Sequence, residues 1–341
     1  MKVIDGQQRS PKPTTRRAHP PSASGEHTML TNVTFPSAGL NLAGHLYTPE
    51  NAGGPWPAIV VSHPMSAVKE QAAGLYAEQL ARAGFVTLAF DAAYQGESEG
   101  SPHLLEDPAH RSEDIKAAVT FLSLREEVDP ERMGALGICA SGGYLAPAAA
   151  TDHRIKAVAT VSAVDTGELF RRGVGRTQDP AILQGMLDAA GAARDEEARG
   201  AAPRLAQIHP DTEEQARALG QHTYDGWEYY RTARGGHPRS ENFFVLRSID
   251  LIAQFTAFET IALIAPRPLL MIVGTRAATA YLSQEAIEKA REPKELYWVD
   301  GATHVDLYDR KQYVPTALTK LTDFFANHLN AQRASSRKQP K

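Results

Sequence analysis

The stretch Gly137-Ile138-Cys139-Ala140-Ser141-Gly142-Gly143 joins a nucleophilic side chain to the small residues that a sharp strand-to-helix turn demands. Small residues two places before and two after its centre leave room for a strained elbow that projects the central side chain. Cys139, the only cysteine of the chain, stands at that centre, after an apolar run and before an Ala-rich one. It therefore reads as a covalent nucleophile rather than an inert buried thiol. A helix N-terminus offers unpaired amides and a favourable dipole, so the thiol is expected to have a lowered pKa. Ser141, the competing nucleophile, fills the second small position and is expected to pack beneath the turn.

A thiol nucleophile needs a base. Gly301-Ala302-Thr303-His304-Val305-Asp306 follows the last expected strand, which puts His304 in a loop at the same sheet edge as Cys139. Among twelve histidines it alone directly follows a terminal core strand, so it is the expected base, with His153, His209 and His222 expected at the surface. No His-Glu-x-x-His, Cys pair or Gly-x-Gly-x-x-Gly after a strand is present, so no metal and no dinucleotide cofactor is expected.

These residues need a framework to hold them. Thr31 to Phe35 and Leu40 to Tyr47 read as a hairpin, and Ala58 to Ser62 as a short buried strand. A helix is expected over 68–83, then a strand over 85–90, then a helix over 112–126 capped by Ser112. Strands over 133–138 and 155–162 flank the elbow, and two more over 268–273 and 295–299 enclose a helix. A last helix buries Leu318, Leu321, Phe324, Phe325 and Leu329. Strands alternating with helices of these lengths imply an α/β fold with a mostly parallel central sheet flanked by helices.

Residues 165–265 interrupt this alternation and are too long for a simple loop. Their helix-forming composition predicts a helical cap over the carboxyl ends of the strands, where ligands bind in open α/β sheets. The expected organisation is a tail over 1–28, core over 29–164, cap over 165–265, core over 266–330 and a tail over 331–341. Aromatics of the cap, Trp227 and Tyr230 among them, are candidates either for the substrate wall or for anchoring the cap to the core.

A formal charge of −4 gives no electrostatic case for nucleic acid or an anionic membrane, and no apolar run is long enough to span one. One cysteine excludes an intramolecular disulfide, so a cytoplasmic location is the default expectation. Arg16-Arg17 is followed by Ala18-His19-Pro20-Pro21 rather than an apolar stretch, which argues against an export signal.

The order strand, elbow, insertion, strand, helix, strand, histidine resembles the α/β-hydrolase fold over about residues 30 to 330. The Cys-centred elbow is similar to that of dienelactone hydrolases. His63-Pro64, Lys69-Glu70-Gln71, the elbow string through Tyr144 and the His304 string resemble a subgroup that includes polyketide-transferase-like hydrolases. The resemblance implies an oxyanion hole made by the backbone amides of Ala140 and Met65. His63 and Tyr144, from these strings, and Trp227 and Tyr230, from the cap, are the candidate substrate-binding residues.

One departure stands out. The family acid would follow the strand over 268–273, yet Gly274-Thr275-Arg276-Ala277-Ala278-Thr279-Ala280-Tyr281 holds no carboxylate, and Ala278 stands where an Asp is expected. Three readings stand: the acid has moved to Asp165, the enzyme runs on a Cys139–His304 dyad, or Ala278 marks a loss. Asp306 is too near His304 in sequence to be preferred, and Asp91 is expected to brace the turn at Gly96-Glu97-Ser98. The expected chemistry is acyl transfer from a small-molecule or carrier-bound ester, lactone or thioester, by hydrolysis or transfer to another acceptor. A cyclase, a lyase or isomerase, or a ligand-binding protein on the same scaffold are the alternatives, and a homodimer is left open.

Overall fold

The structure, a computed structural model, describes residues 28–50 and 54–330. The tails expected over 1–28 and 331–341 lie outside the described residues, Thr28 apart. An antiparallel hairpin of β1 (Thr28–Ser37) and β2 (Leu40–Pro49) comes first. Then β3 (Trp56–Ser62), α1 (Ala72–Arg82), β4 (Val86–Phe90), α2 (Pro108–Ser123), β5 (Val128–Ile138), α3 (Ala140–Thr151) and β6 (Ile155–Val161) alternate. The segment before the next core strand holds α4 (Thr166–Arg172), α5 (Pro180–Ala198), β7 (Leu205–Gln207), α6 (Glu213–Ala218), α7 (Gln221–Arg231), β8 (Phe243–Val245) and α8 (Ser248–Ala253). Next come β9 (Leu269–Gly274), α9 (Ala280–Lys289), β10 (Lys294–Val299), α10 (Asp306–Asp309) and α11 (Val314–Asn330).

Eight strands form one sheet in the order β1-β2-β4-β3-β5-β6-β9-β10. Every pairing from β4 through β10 is parallel, and only the β1–β2 and β2–β4 pairs are antiparallel. This is the α/β-hydrolase arrangement. Every residue of β4 and β9 is buried, as expected of parallel strands covered on both faces. Alternate side chains divide between two cores. Val60, Leu88, Ala135 and Met271 pack with α2 and α3 on one face, while Ile59, Leu136 and Ile272 pack with Tyr76, Leu80, Leu321 and Phe325 on the other.

Local details depart from the expected boundaries for identifiable reasons. The helix expected over 68–83 begins at Ala72, because the Val68 and Lys69 amides donate to Gln71 and Asp91 side chains. Asp107, not Ser112, caps α2: its carboxylate accepts from the Ala109 and His110 amides, with Pro108 opening the helix. Ser112 lies inside that helix and donates to the Pro108 and Tyr144 carbonyls. Between β6 and β9 the chain is mainly helical, as composition implies, but it also forms the antiparallel β7–β8 ribbon. This segment meets the carboxyl edge of the sheet. Ser240 donates to the Ser66 carbonyl at 2.7 Å, Gln71 donates to that of Gly235 at 2.6 Å, and Met65 packs against the cluster of Phe244 and Ile249. Among the described residues no helix is long and apolar enough to cross a membrane.

Candidate active site

Cys139 sits between β5 and α3 with φ 56° and ψ −119°, in the strained left-handed region that a non-glycine residue rarely occupies. Surrounding backbone over-determines this geometry. The Cys139 amide donates to the Val161 carbonyl at 3.0 Å, and its own carbonyl accepts from Gly142 at 2.9 Å and Val164 at 3.1 Å. The small frame is a steric requirement. A Cβ at Gly137 would strike the Ser141 carbonyl, one at Gly142 would strike Ala163, and one at Gly143 would strike the Val164 carbonyl. Ser141 lies fully buried under the turn, where it donates to the His63 carbonyl at 2.5 Å and meets Ser62 at 2.8 Å.

His304 leaves the end of β10 and is 3% exposed. Ser162 holds its carbonyl at 2.9 Å. Its Nδ1 lies 2.6 Å from the Thr279 hydroxyl, and its Nε2 lies 3.0 Å from the Tyr308 hydroxyl. No carboxylate pairs with it among the described residues. Thr279 therefore occupies the place where an acid was sought, one residue beyond the exposed Ala278. Asp165 does not fill that place. One of its oxygens accepts the Glu168 amide and caps α4, while the other accepts the Ala257 amide, each at 2.9 Å.

The loop after β3 faces the elbow. Ser66 takes φ 59°, and Ala67 closes the turn by donating to the Pro64 carbonyl at 3.1 Å. Beneath this loop lies a buried polar brace. His63 is wholly buried, its Nε2 accepts the Ala92 amide at 3.1 Å, and its Nδ1 lies 2.7 Å from the Pro64 carbonyl. Arg111 donates to the His63 carbonyl at 2.8 Å and to Ser141 at 3.2 Å, tying the loop to the elbow helix. Tyr144 is equally buried and donates to Glu106 at 2.8 Å. His63 and Tyr144 are thus framework rather than substrate wall, since neither presents surface to a ligand. Lys69 and Asp91 lock the same loop from its far end at 2.7 Å, and Asp91 also accepts the Glu97 amide, bracing the turn as expected.

Over the edge stands α7. Tyr230 packs against Tyr308 with ring centroids 6.5 Å apart. Trp227 stacks on Tyr224, and its indole N–H is buried without a partner. His209 and His222, expected at the surface, are half-buried. The first stacks on Tyr230 at 5.2 Å, and the second meets the His304 ring edge-on at 5.4 Å. Tyr308, Thr279 and His222 escaped the sequence reading. A Tyr four residues beyond His304 on a helical turn was the available signal for the first.

Burial dominates the electrostatics. It drives His304 well below the usual histidine range, with His222 adding to the effect, so the imidazole is neutral. The Cys139 thiol is pushed up to about 11 by burial, against the opposing influence of the Tyr308 hydroxyl and the Ala140 amide. This reverses the lowered pKa expected from the helix N-terminus, because desolvation outweighs the Ala140 amide and the more distant Arg111 guanidinium. A neutral thiol, a neutral imidazole and helix-end amides form a site suited to adding sulfur to a carbonyl carbon, with deprotonation during attack.

Comparison with known proteins places the chain. The model of the X-Pro dipeptidyl-peptidase (S15 family) matches residues 38–246. The chain is 37% identical to the uncharacterized protein YcjY of Escherichia coli (strain K12), over 88% of this chain and 98% of that one. The crystal structure of hypothetical protein PA2218 from Pseudomonas aeruginosa superposes with a TM-score of 0.83 at 39% identity, covering 90% of this chain and 95% of that one. Thiohydrolase apmlB of Arthrinium phaeospermum is 28% identical over 76% of this chain and 80% of its own. An elbow and a histidine at the end of core strands in one α/β-hydrolase framework agree with these matches, and the chain belongs to the X-Pro dipeptidyl-peptidase (S15) family of enzymes.

Proposed function

We propose that this enzyme transfers acyl groups through a covalent thioester on Cys139, with His304 as base and thioesters or activated esters as donors. The strained backbone of Cys139 at the carboxyl edge of β5 carries the reading, since a chain holds such a conformation where it serves a site. Sulfur attacks the carbonyl carbon, and the oxygen that gains charge is received by the amides of Ala140 and Met65. His304 takes the thiol proton and returns it to the departing thiol or alcohol. Thr279 engages Nδ1, leaving Nε2, which meets the Tyr308 hydroxyl at 3.0 Å, to take the proton. Water then attacks the acyl-cysteine, releasing the acid and restoring the thiol.

A thiolate leaves a tetrahedral intermediate more readily than an amine does, so the cysteine favours thioesters and esters over the peptide bonds that the family name suggests. The likeness to a thiohydrolase supports the same choice. Enclosure of the site by Tyr230, His222 and Tyr308 favours a second outcome, transfer to an acceptor hydroxyl or amine in place of water. Steady-state turnover of acyl-N-acetylcysteamine thioesters, activated esters and an X-Pro amide separates these donors. The thioester is expected to be the fastest and to be lost in Cys139→Ala but kept in Ser141→Ala. Wild-type turnover by Cys139→Ala would overturn the proposal.

A further inference from the structure

His304 opens directly into Val305 and α10, a turn too short to be stable without tertiary support. Core elements supply part of that support. Ser162 donates to the His304 carbonyl at 2.9 Å, and Tyr76 of α1 donates to that of Leu307 at 2.6 Å. A further tie comes from the segment between β6 and β9. Arg234, three residues beyond α7, donates to the Val305 carbonyl at 3.2 Å and grips Asp309 through Nη2 at 2.6 Å and Nε at 3.1 Å. One guanidinium therefore spans both ends of α10.

Every nitrogen of that guanidinium is engaged. Nη1 donates to Glu228 of α7 at 2.9 Å, and Glu228 also accepts from Arg310, just past α10, at 2.7 Å. Thr232 shapes the approach: its hydroxyl donates to the Glu228 carbonyl at 2.5 Å and accepts the Arg234 amide at 3.2 Å. The Arg234 side chain is 9% exposed and lies 5.6 Å from the centre of the Tyr229 ring, which packs edge-on against Tyr308 at 5.2 Å. A planar fork spread over three acceptors holds one geometry, as a point-like ammonium cannot. An arginine that only seated α7 would need a single carboxylate on the core. This one grips backbone and side chain of the turn that begins beside the base.

We infer that Arg234 is a positioning residue for the base, clamping α10 so that the His304 imidazole keeps its place between Thr279 and Tyr308. The inference rests on the acyl-transfer reading above, and Arg234 itself touches no reacting atom. Tyr308 belongs to the clamped turn, so loosening it displaces both His304 and the partner of its Nε2. The same arginine is bound to Glu228 of α7, the helix that brings His222 against the His304 ring at 5.4 Å. Seating of α7 and placement of the base are thereby one event. A displacement of about 1 Å in such a group costs up to about 100-fold in rate.

Steady-state turnover of an acyl-N-acetylcysteamine thioester by the full chain tests this. Arg234→Met removes the fork and keeps an apolar stem, whereas Asp309→Asn keeps the fork and weakens its acceptor. Arg234→Met is expected to lower kcat about 10- to 100-fold with KM within about two-fold, a split that a loss of stability alone would not produce. Asp309→Asn should lower kcat in the same direction, and the double variant should fall within about two-fold of Arg234→Met, because both changes break one clamp. Wild-type kcat in Arg234→Met, a rise in KM alone, or additive effects in the double variant would overturn the inference. Should Arg234→Met fail to fold, Asp309→Asn decides: unchanged kcat overturns the clamp, and so does unfolding of both, since the role would then be structural. The two proposals fail separately. A Cys139→Ala chain with full turnover sinks the covalent reading, whereas an inactive Cys139→Ala beside an Arg234→Met with wild-type kcat sinks only the clamp.

Discussion

Replacing Thr279 by valine would keep the branched shape of the side chain while removing the hydroxyl that stands 2.6 Å from His304 Nδ1. Thr279 is 1% exposed and His304 is 3% exposed, so solvent has little room to supply a substitute partner. A buried donor left without its acceptor costs about 1–3 kcal/mol. If that cost falls on the tautomer carrying its proton on Nδ1, the productive form loses a factor of roughly 5 to 150, at about 1.4 kcal/mol per decade. Thr279→Val is therefore expected to lower kcat for thioester turnover by about 10- to 100-fold. Thr279→Ser, which retains the hydroxyl, should stay near wild type. Urea denaturation measured alongside reports the stability share of the same loss. A Thr279→Val enzyme with wild-type kcat and a stability loss of about 1–3 kcal/mol would refute the reasoning, because the hydroxyl would then serve packing and not the imidazole.

Two further outcomes follow from the burial of the site. With its pKa pushed up to about 11, Cys139 holds on the order of 100-fold less thiolate than an ordinary thiol at neutral pH, so iodoacetamide should label the folded chain correspondingly slower than the denatured one. Folded-state labelling should keep rising with pH beyond 9, and a plateau below pH 8 would contradict it. His63 and His304 have folded pKa values well below the unfolded value near 6.5, so the unfolded chain binds their protons first. Their contribution is fully present above pH 6.5 and is lost as pH falls toward their folded pKa values. Stability is therefore expected to be lower at pH 5.5 than at pH 7.5, which equilibrium unfolding at the two pH values would detect. Equal stability at the two pH values would refute a neutral buried pair.

Local patterns made most of the framework legible. The alternation of Val- and Ile-rich runs with amphipathic helices foretold the parallel sheet, and the small-residue frame around Cys139 foretold the elbow. Placement of His304 followed from the strand before it. What failed was anything that depends on burial or long-range pairing. Thr279 meets His304 across 25 positions of sequence, and a threonine in a string of alanines carries no chemical signature. Family pattern points instead to a carboxylate such as Asp165, a residue whose two oxygens are spent on backbone amides. Helix-end electrostatics predicted a low thiol pKa, but the aromatic surroundings that reverse it come largely from α7 and α10, which converge only in the fold. His63 and Tyr144 were legible as motif residues, yet only packing shows that they brace the site from below.

The central claim is a covalent acyl-cysteine, and its most direct test is the mass of the intact chain quenched in acid within seconds of mixing with an acyl thioester. The account predicts a transient gain equal to the acyl group, located by peptide mapping to Cys139, absent in Cys139→Ala and cleared as product forms. Turnover at the wild-type rate with no adduct on Cys139 at any time, or with the acyl group on Ser141 or another residue, would contradict it.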